Sequence, residues 1–202
     1  MNTLFIDLAS RNGTLACVTD EATLALKTVD HRVSDMELMP LFESVLADAK
    51  WAREDIGRLA CITGPGGFTS LRVAAAFTNA LAYALFLPAT GIHLSDLKKA
   101  QCPQEDVLWL HSTKKQELFS RGFGSYADAY KEATHFQMEH FLQDLPENVP
   151  WIGELIPAHE EAVKAKGGVS IALQDLSSIL PVFLSDQQYK KSIMEPWYGR
   201  KW

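Results

Sequence analysis

Three short apolar runs of strand length open the chain, at residues 3–8, 14–19 and 23–29, and the polar turns between them suit antiparallel hairpins. The period then changes. Met36, Met39, Phe42, Val45 and Leu46 fall at helical spacing, with Ser34 or Asp35 as cap and an end near residue 49. Pro40 fits that helix only in its first turn or at a kink. Residues 59–63 form a buried-type strand that runs into Gly64-Pro65-Gly66-Gly67, which cannot continue strand or helix because its glycines accept positive φ and its proline lacks a donor. A long alanine-rich helix follows from Phe68 or Thr69, capped by Gly67 or Thr69 and closed before Pro88. Residues 89–93 make a fifth strand, and Ser95 caps a short helix to residue 100. Further on, strands are predicted at 107–111, 118–123, 134–138 and 149–152, with helices at 141–145 and 158–166.

On a helical wheel the long helix places Arg72, Asn79, Tyr83 and Phe86 on one stripe and leaves roughly 240° of its circumference apolar. One sheet does not require that much. Leu71, Ala74, Ala75, Thr78, Ala82 and Leu85 suffice to cover the chain's own sheet. The adjoining face, Val73, Ala76, Phe77, Ala80 and Ala84, is then either covered within its own domain or available to a second helix, its alanines permitting close approach. Arg72 and Asn79 interrupt a run already short for a membrane span. A glycine turn before a helix can also cradle an anion, but the dinucleotide pattern needs glycine where Thr69 stands, and the Gly-Lys-Ser/Thr ending of a P-loop is absent.

The order β-β-β-α-β-α-β is complete by residue 93. That is the order of the ribonuclease H-like lobe duplicated in actin, hexokinase and the heat-shock ATPases. The expected fold is therefore α/β and actin-like, with an N-terminal ribonuclease H-like lobe at 1–98 and a reduced C-terminal lobe at 99–202. Composition adds little to this: 202 residues, 47% hydrophobic and 22% charged, fit a soluble globular chain. The net charge of −6 argues against independent, non-specific nucleic-acid binding. Cys17, Cys61 and Cys102 have no disulfide or zinc spacing and read as packed thiols. The chain enters a strand with no basic leader, so a cytoplasmic protein without a membrane partner is expected.

Several stretches resemble one family. Gly64-Pro65-Gly66-Gly67-Phe68-Thr69-Ser70-Leu71-Arg72 is similar to the GPGSFTGLR of the TsaB family, formerly YeaZ. Phe5-Ile6-Asp7, Leu38-Met39-Pro40-Leu41, Lys114 with Glu117-Leu118-Phe119, and Pro181-Val182-Phe183-Leu184 match its other segments in order. The chain departs from the pattern at Gly67, Ser70, Ser112 and Ser185. The resemblance implies a non-catalytic accessory subunit that binds and stabilises TsaD for threonylcarbamoylation of adenosine 37 (t6A) in ANN-decoding tRNAs. It implies contact with a TsaE-type ATPase through the TsaB–TsaD dimer, with tRNA indirectly through the complex, and self-association as a homodimer when TsaD is absent. In that family the first two helices pair with their counterparts in TsaD as a four-helix bundle, which maps the partner surface to Met36, Met39, Val73, Ala76, Phe77, Ala80 and Ala84. Gly64, Pro65, Gly66 and Gly67 become a structural turn.

Catalytic positions can be checked singly. TsaD binds metal through a histidine pair after the fifth strand, and the corresponding residues here are Leu94 and Lys98, neither of which ligates like imidazole. His93 is adjacent but alone, and His135 and His140 are five apart. The nucleotide turn of the superfamily would fall at Gly153-Glu154-Leu155, where leucine replaces a second glycine. Asp7 matches a phosphate-metal aspartate in position, but Leu8-Ala9-Ser10 lacks the accompanying glycine-threonine turn; a loop-ordering role is the alternative. The expectation is no catalytic residue and no metal or cofactor of its own, with ATP and metal on the partner subunit. A self-contained kinase or metallopeptidase of the same fold is the competing reading, and a homodimeric scaffold a third. The tail interleaves Lys190, Lys191, Trp197, Tyr198, Arg200, Lys201 and Trp202, a composition that suits RNA contact, packing on its own lobe or a mobile tail.

Overall fold

A computed structural model describes residues 1–29 and 33–199. Its first sheet has the order β3-β2-β1-β4-β5, built from β1 (Thr3–Asp7), β2 (Thr14–Val18), β3 (Thr23–Thr28), β4 (Arg58–Gly64) and β5 (Ala89–His93). β1 pairs antiparallel with β2 and parallel with β4, and each of its residues is buried, which is why its sequence is an apolar run rather than an alternation. Helices α1 (Asp35–Ala49) and α2 (Phe68–Ala84) cover one face. Leu4, Ile6, Leu15, Cys17, Leu59 and Cys61 of the sheet form one core cluster with Phe42, Val45, Leu46 and Ala74 of the helices. The Phe42 and Phe77 rings meet edge to face at 5.4 Å, joining α1 to α2.

Ser34 caps α1 reciprocally with Glu37, whose carboxylate accepts the Ser34 N–H at 3.0 Å and its hydroxyl at 2.7 Å. Pro40 is the sixth residue of this helix, beyond the first turn, which is one of the two places the sequence allows it. The packing of Leu38, Phe42, Val45 and Leu46 outweighs its cost.

The second sheet has the order β10-β9-β6-β7-β8, from β6 (Val107–Lys114), β7 (Glu117–Phe123), β8 (Thr134–Gln137), β9 (Pro150–Glu154) and β10 (Val169–Ser170). Read from β8 inward, this is the topology of the first sheet. β6 lies antiparallel to β7 and parallel to β9, as β1 does to β2 and β4. The reduction expected of this lobe is one of length rather than of topology. Its helices α4 (Met138–Asp144) and α5 (Pro157–Ala165) have 7 and 9 residues against 15 and 17 in α1 and α2, and β10 has two. The sequence reading missed β10 and α6 (Leu176–Ser185), the latter carrying Pro181 inside it. α3 (Leu94–Ala100) lies at the division between two compact units. Met1–Leu94 groups with Asp175–Tyr198, and Ser95–Gln174 forms the body of the second. The sequence-based boundaries had put residues 175–198 with the second lobe. α6 instead packs on β3, where the Thr23 hydroxyl donates to the Ser177 carbonyl at 2.7 Å.

Gly153 is fixed by backbone crowding. Its φ is 119°, and a Cβ there would stand 2.1 Å from the carbonyl oxygen of Leu110, its partner across the ladder. Gly153→Ala should therefore lower unfolding stability by about 2–4 kcal/mol, read as a shifted urea midpoint.

Candidate functional site

The parallel pairing of β1 with β4 brings the turns that follow them together. Asp7 closes the first: Oδ1 accepts the N–H groups of Ala9 at 2.8 Å and Ser10 at 3.0 Å, and Oδ2 accepts the Ser10 hydroxyl at 2.6 Å. This is loop-ordering geometry. Against it lies the glycine turn, where a Cβ on Gly66 would come within 2.8 Å of the Ala9 Cα. Gly64, at φ 145°, leaves room for the Trp197 carbonyl, which a Cβ would meet at 2.2 Å. Gly67 is the N-cap of α2, and its carbonyl accepts the Leu71 N–H at 3.0 Å.

The positions that would carry catalysis in a metal-binding relative are engaged otherwise. Leu94 is fully buried, and the Lys98 ammonium lies 3.1 Å from the Glu154 carboxylate. His93 stands edge-on to Trp197 at 4.5 Å. His135 contacts the Glu117 carboxylate at 2.5 Å, and His140 is exposed on α4. Gly153 lies within β9, and Leu155 is buried in the second core. Among the described residues, no three His, Cys, Asp or Glu side chains converge to form a metal-binding group.

The outer layer of α1 and α2 is the broadest feature of the first unit. Leu71, Ala74, Ala75 and Thr78 are buried on the sheet side. Ala76, Ala80 and Ala84 are exposed one turn apart, and on α1 Met36 is 84% and Met39 41% exposed. Val73 and Phe77, expected on the same face, are half-buried and pack on the core, Phe77 against Phe42. Five of the seven proposed contact residues thus stand at the surface, and two are half-buried against the core.

The polar stripe of α2 has a use that the sequence reading missed: it seats the C-terminal tail. The Asn79 amide donates to the Met194 carbonyl and accepts the Met194 N–H, both at 2.9 Å. Arg72 stacks over Phe68 at 4.1 Å and donates to the Tyr198 hydroxyl at 3.2 Å. Lys190 exchanges two backbone bonds of 2.9 Å with Ala89 at the free edge of β5, and the Trp197 N–H donates to the Thr63 carbonyl at 2.9 Å. Trp197 and Tyr198 are half-buried on the first unit, while Lys190 and Lys191 are exposed. Arg200, Lys201 and Trp202 lie outside the described residues.

Residues 29–143, more than half of the chain and all of α1 to α3, match the family model described as TsaD: tRNA N6-adenosine threonylcarbamoyltransferase. The chain belongs to that family. It is 45% identical over 56 residues to the tRNA N6-adenosine threonylcarbamoyltransferase of Bordetella avium (strain 197N), and 47% over 55 residues to that of Burkholderia thailandensis. These matches cover 28% and 27% of this chain, and only 16% of either curated relative. Among solved structures, its fold is shared with an uncharacterized Pseudomonas aeruginosa protein described as similar to peptidase YeaZ. That match has a TM-score of 0.72 and 17% identity, over 98% of this chain and 99% of the other. YeaZ from Pseudomonas aeruginosa matches at a TM-score of 0.67 and 16% identity, over 91% of each chain. The α/β architecture expected from element order, two mixed sheets with covering helices, is thus a fold shared with these solved structures. No helix among the described residues is long and apolar enough to cross a membrane.

Cys17 and Cys61 are fully buried, and burial pushes each thiol up to about 12. Both stay protonated and shielded at pH 8, so neither should react with a disulfide reagent there until denaturant is added. Labelling followed by peptide mapping checks this, and rapid native labelling of either would contradict the packing described.

Proposed function

We propose that this chain is a non-catalytic subunit of a tRNA-modifying assembly, binding and stabilising a catalytic threonylcarbamoyltransferase, TsaD, through the outer layer of α1 and α2. The observation that carries this reading is the exposed stripe Ala76, Ala80 and Ala84 beside the exposed Met36 and Met39. Small residues repeated every fourth position let a partner helix approach closely, and methionines adapt to its side chains. Leu94 and Lys98, at the positions of a metal-binding histidine pair, support the assignment of ATP and metal to the partner. A TsaE-type ATPase and tRNA would be met through the resulting complex, and the same stripe would serve a homodimer when the partner is absent.

The family match favours a second reading, because the matched model is that of the transferase itself. Under it, the isolated chain would bind ATP and a divalent metal, which calorimetry on the purified chain decides.

Ala76→Arg or Ala80→Arg should place a charge in a close-packed seam and weaken association with the threonylcarbamoyltransferase by on the order of 2–4 kcal/mol, with the monomer melt unchanged. Co-elution beside a thermal melt reads both. Undiminished binding by both variants would place the interface elsewhere. Alanine at Asp7 or His93 should leave the modification rate of the reconstituted system within a few-fold while the variants stay folded. A loss on the order of a thousandfold, the scale of a true catalytic group, would overturn the accessory role.

A further inference from the structure

Where α2 ends, the chain displays apolar side chains that its own packing does not use. The helix closes with Leu87 N–H donating to the Ala82 carbonyl at 2.9 Å and Phe86 N–H to that of Tyr83 at 3.4 Å. This closure puts the residue after the cap in the left-handed region, a place that glycine fills without steric cost. Here it is Phe86, at φ 55°. The residue is 79% exposed, so burial within the chain does not offset the strain. Tyr83 at 84% and Ile193 at 82% are as exposed, and the three line one groove of about 290 Å3, floored by Ala82 and Leu87. Three large apolar side chains displayed around one concavity mark an interaction site rather than scattered surface.

The groove is pre-formed. Its second wall belongs to the tail, and Ile193 lies between two pinned points, the double backbone bond of Lys190 to Ala89 and the double bond of Met194 to Asn79. A fixed wall leaves less ordering to be done on binding. Its charge is one-sided. Lys191 lines it and Lys190 is adjacent, both exposed and without an acidic partner among the described residues, and no carboxylate is in the lining of this groove in a chain of net charge −6. Tyr83 lies three residues after Ala80 on α2, a neighbouring position on the helix surface, so the groove adjoins the alanine stripe.

From these features we infer that the groove between the end of α2 and the tail takes an apolar anchor side chain, flanked by a carboxylate, from the same protein partner that covers the stripe. This rests on the docking reading above. The alanine stripe supplies close contact and the groove a hot spot.

The test measures the affinity of the full chain for the threonylcarbamoyltransferase at two salt concentrations. Phe86→Gly should keep or raise the melting temperature while weakening binding about tenfold, a split that a merely structural residue would not give. Tyr83→Ala with Ile193→Ser should weaken it by about tenfold to a hundredfold at an unchanged melt. Lys190→Gln with Lys191→Gln should slow association and flatten its salt dependence. If Ala80→Arg abolishes binding and the groove variants bind normally, the docking face stands and the groove proposal falls; if none of these variants weakens binding, both fall. Groove variants that bind the protein normally yet lower tRNA affinity of the complex would assign the groove to RNA and overturn the proposal. A melting temperature lowered by Phe86→Gly would make Phe86 a packing residue and overturn it equally.

Discussion

The first unit depends on a contact that only glycine permits. The turn at residues 64–67 lies with the Ala9 backbone against Gly66 and the Trp197 carbonyl against Gly64, each closer than any Cβ allows. Three segments remote in sequence are therefore held at one point. From that point α2 starts in a fixed direction, with Gly67 as its cap. Asp7 completes the arrangement by ordering the neighbouring turn with three hydrogen bonds, so that Ala9 is where the glycine turn needs it.

Because α2 is fixed at its start and held along its side by Asn79 and Arg72, its faces have separate destinations. Leu71, Ala74 and Ala75 go to the sheet, Phe77 to α1, and Asn79 to the tail. The alanine stripe is the remainder. It is left at the surface after the sheet side, the α1 contact and Asn79 have found their partners within the unit.

The local parts of this design were legible in the sequence. The change from short apolar runs to helical spacing, the cap at Ser34, the glycine turn and the close before Pro88 each have a signal within a few residues, and these elements fell within about three residues of their predicted ends. The tail did not declare itself. Lys190 reaches Ala89 through backbone atoms, which no side-chain pattern encodes, and Met194 offers Asn79 only its own peptide groups. α6 was missed because Pro181 within it is a strong local argument against a helix, one that burial of Leu180 and Leu184 overrides. At the candidate face, the wheel separated the sheet side of α2 from the outer side but could not divide Val73 and Phe77 from the alanines. For Phe77 that division depends on where Phe42 of α1 lies.

The first unit is discontinuous, its early part ending at Leu94 and its last part beginning at Asp175. During translation, the strands and helices up to Leu94 emerge well before the segment that fills the space over Gly64, edges β5 and engages Asn79. Until residues 190–198 leave the ribosome, the free edge of β5 and the polar stripe of α2 are bare. Helix α2 therefore reaches its final setting only after residues 175–198 have been made, well after its own synthesis, and the order of synthesis becomes an order of folding.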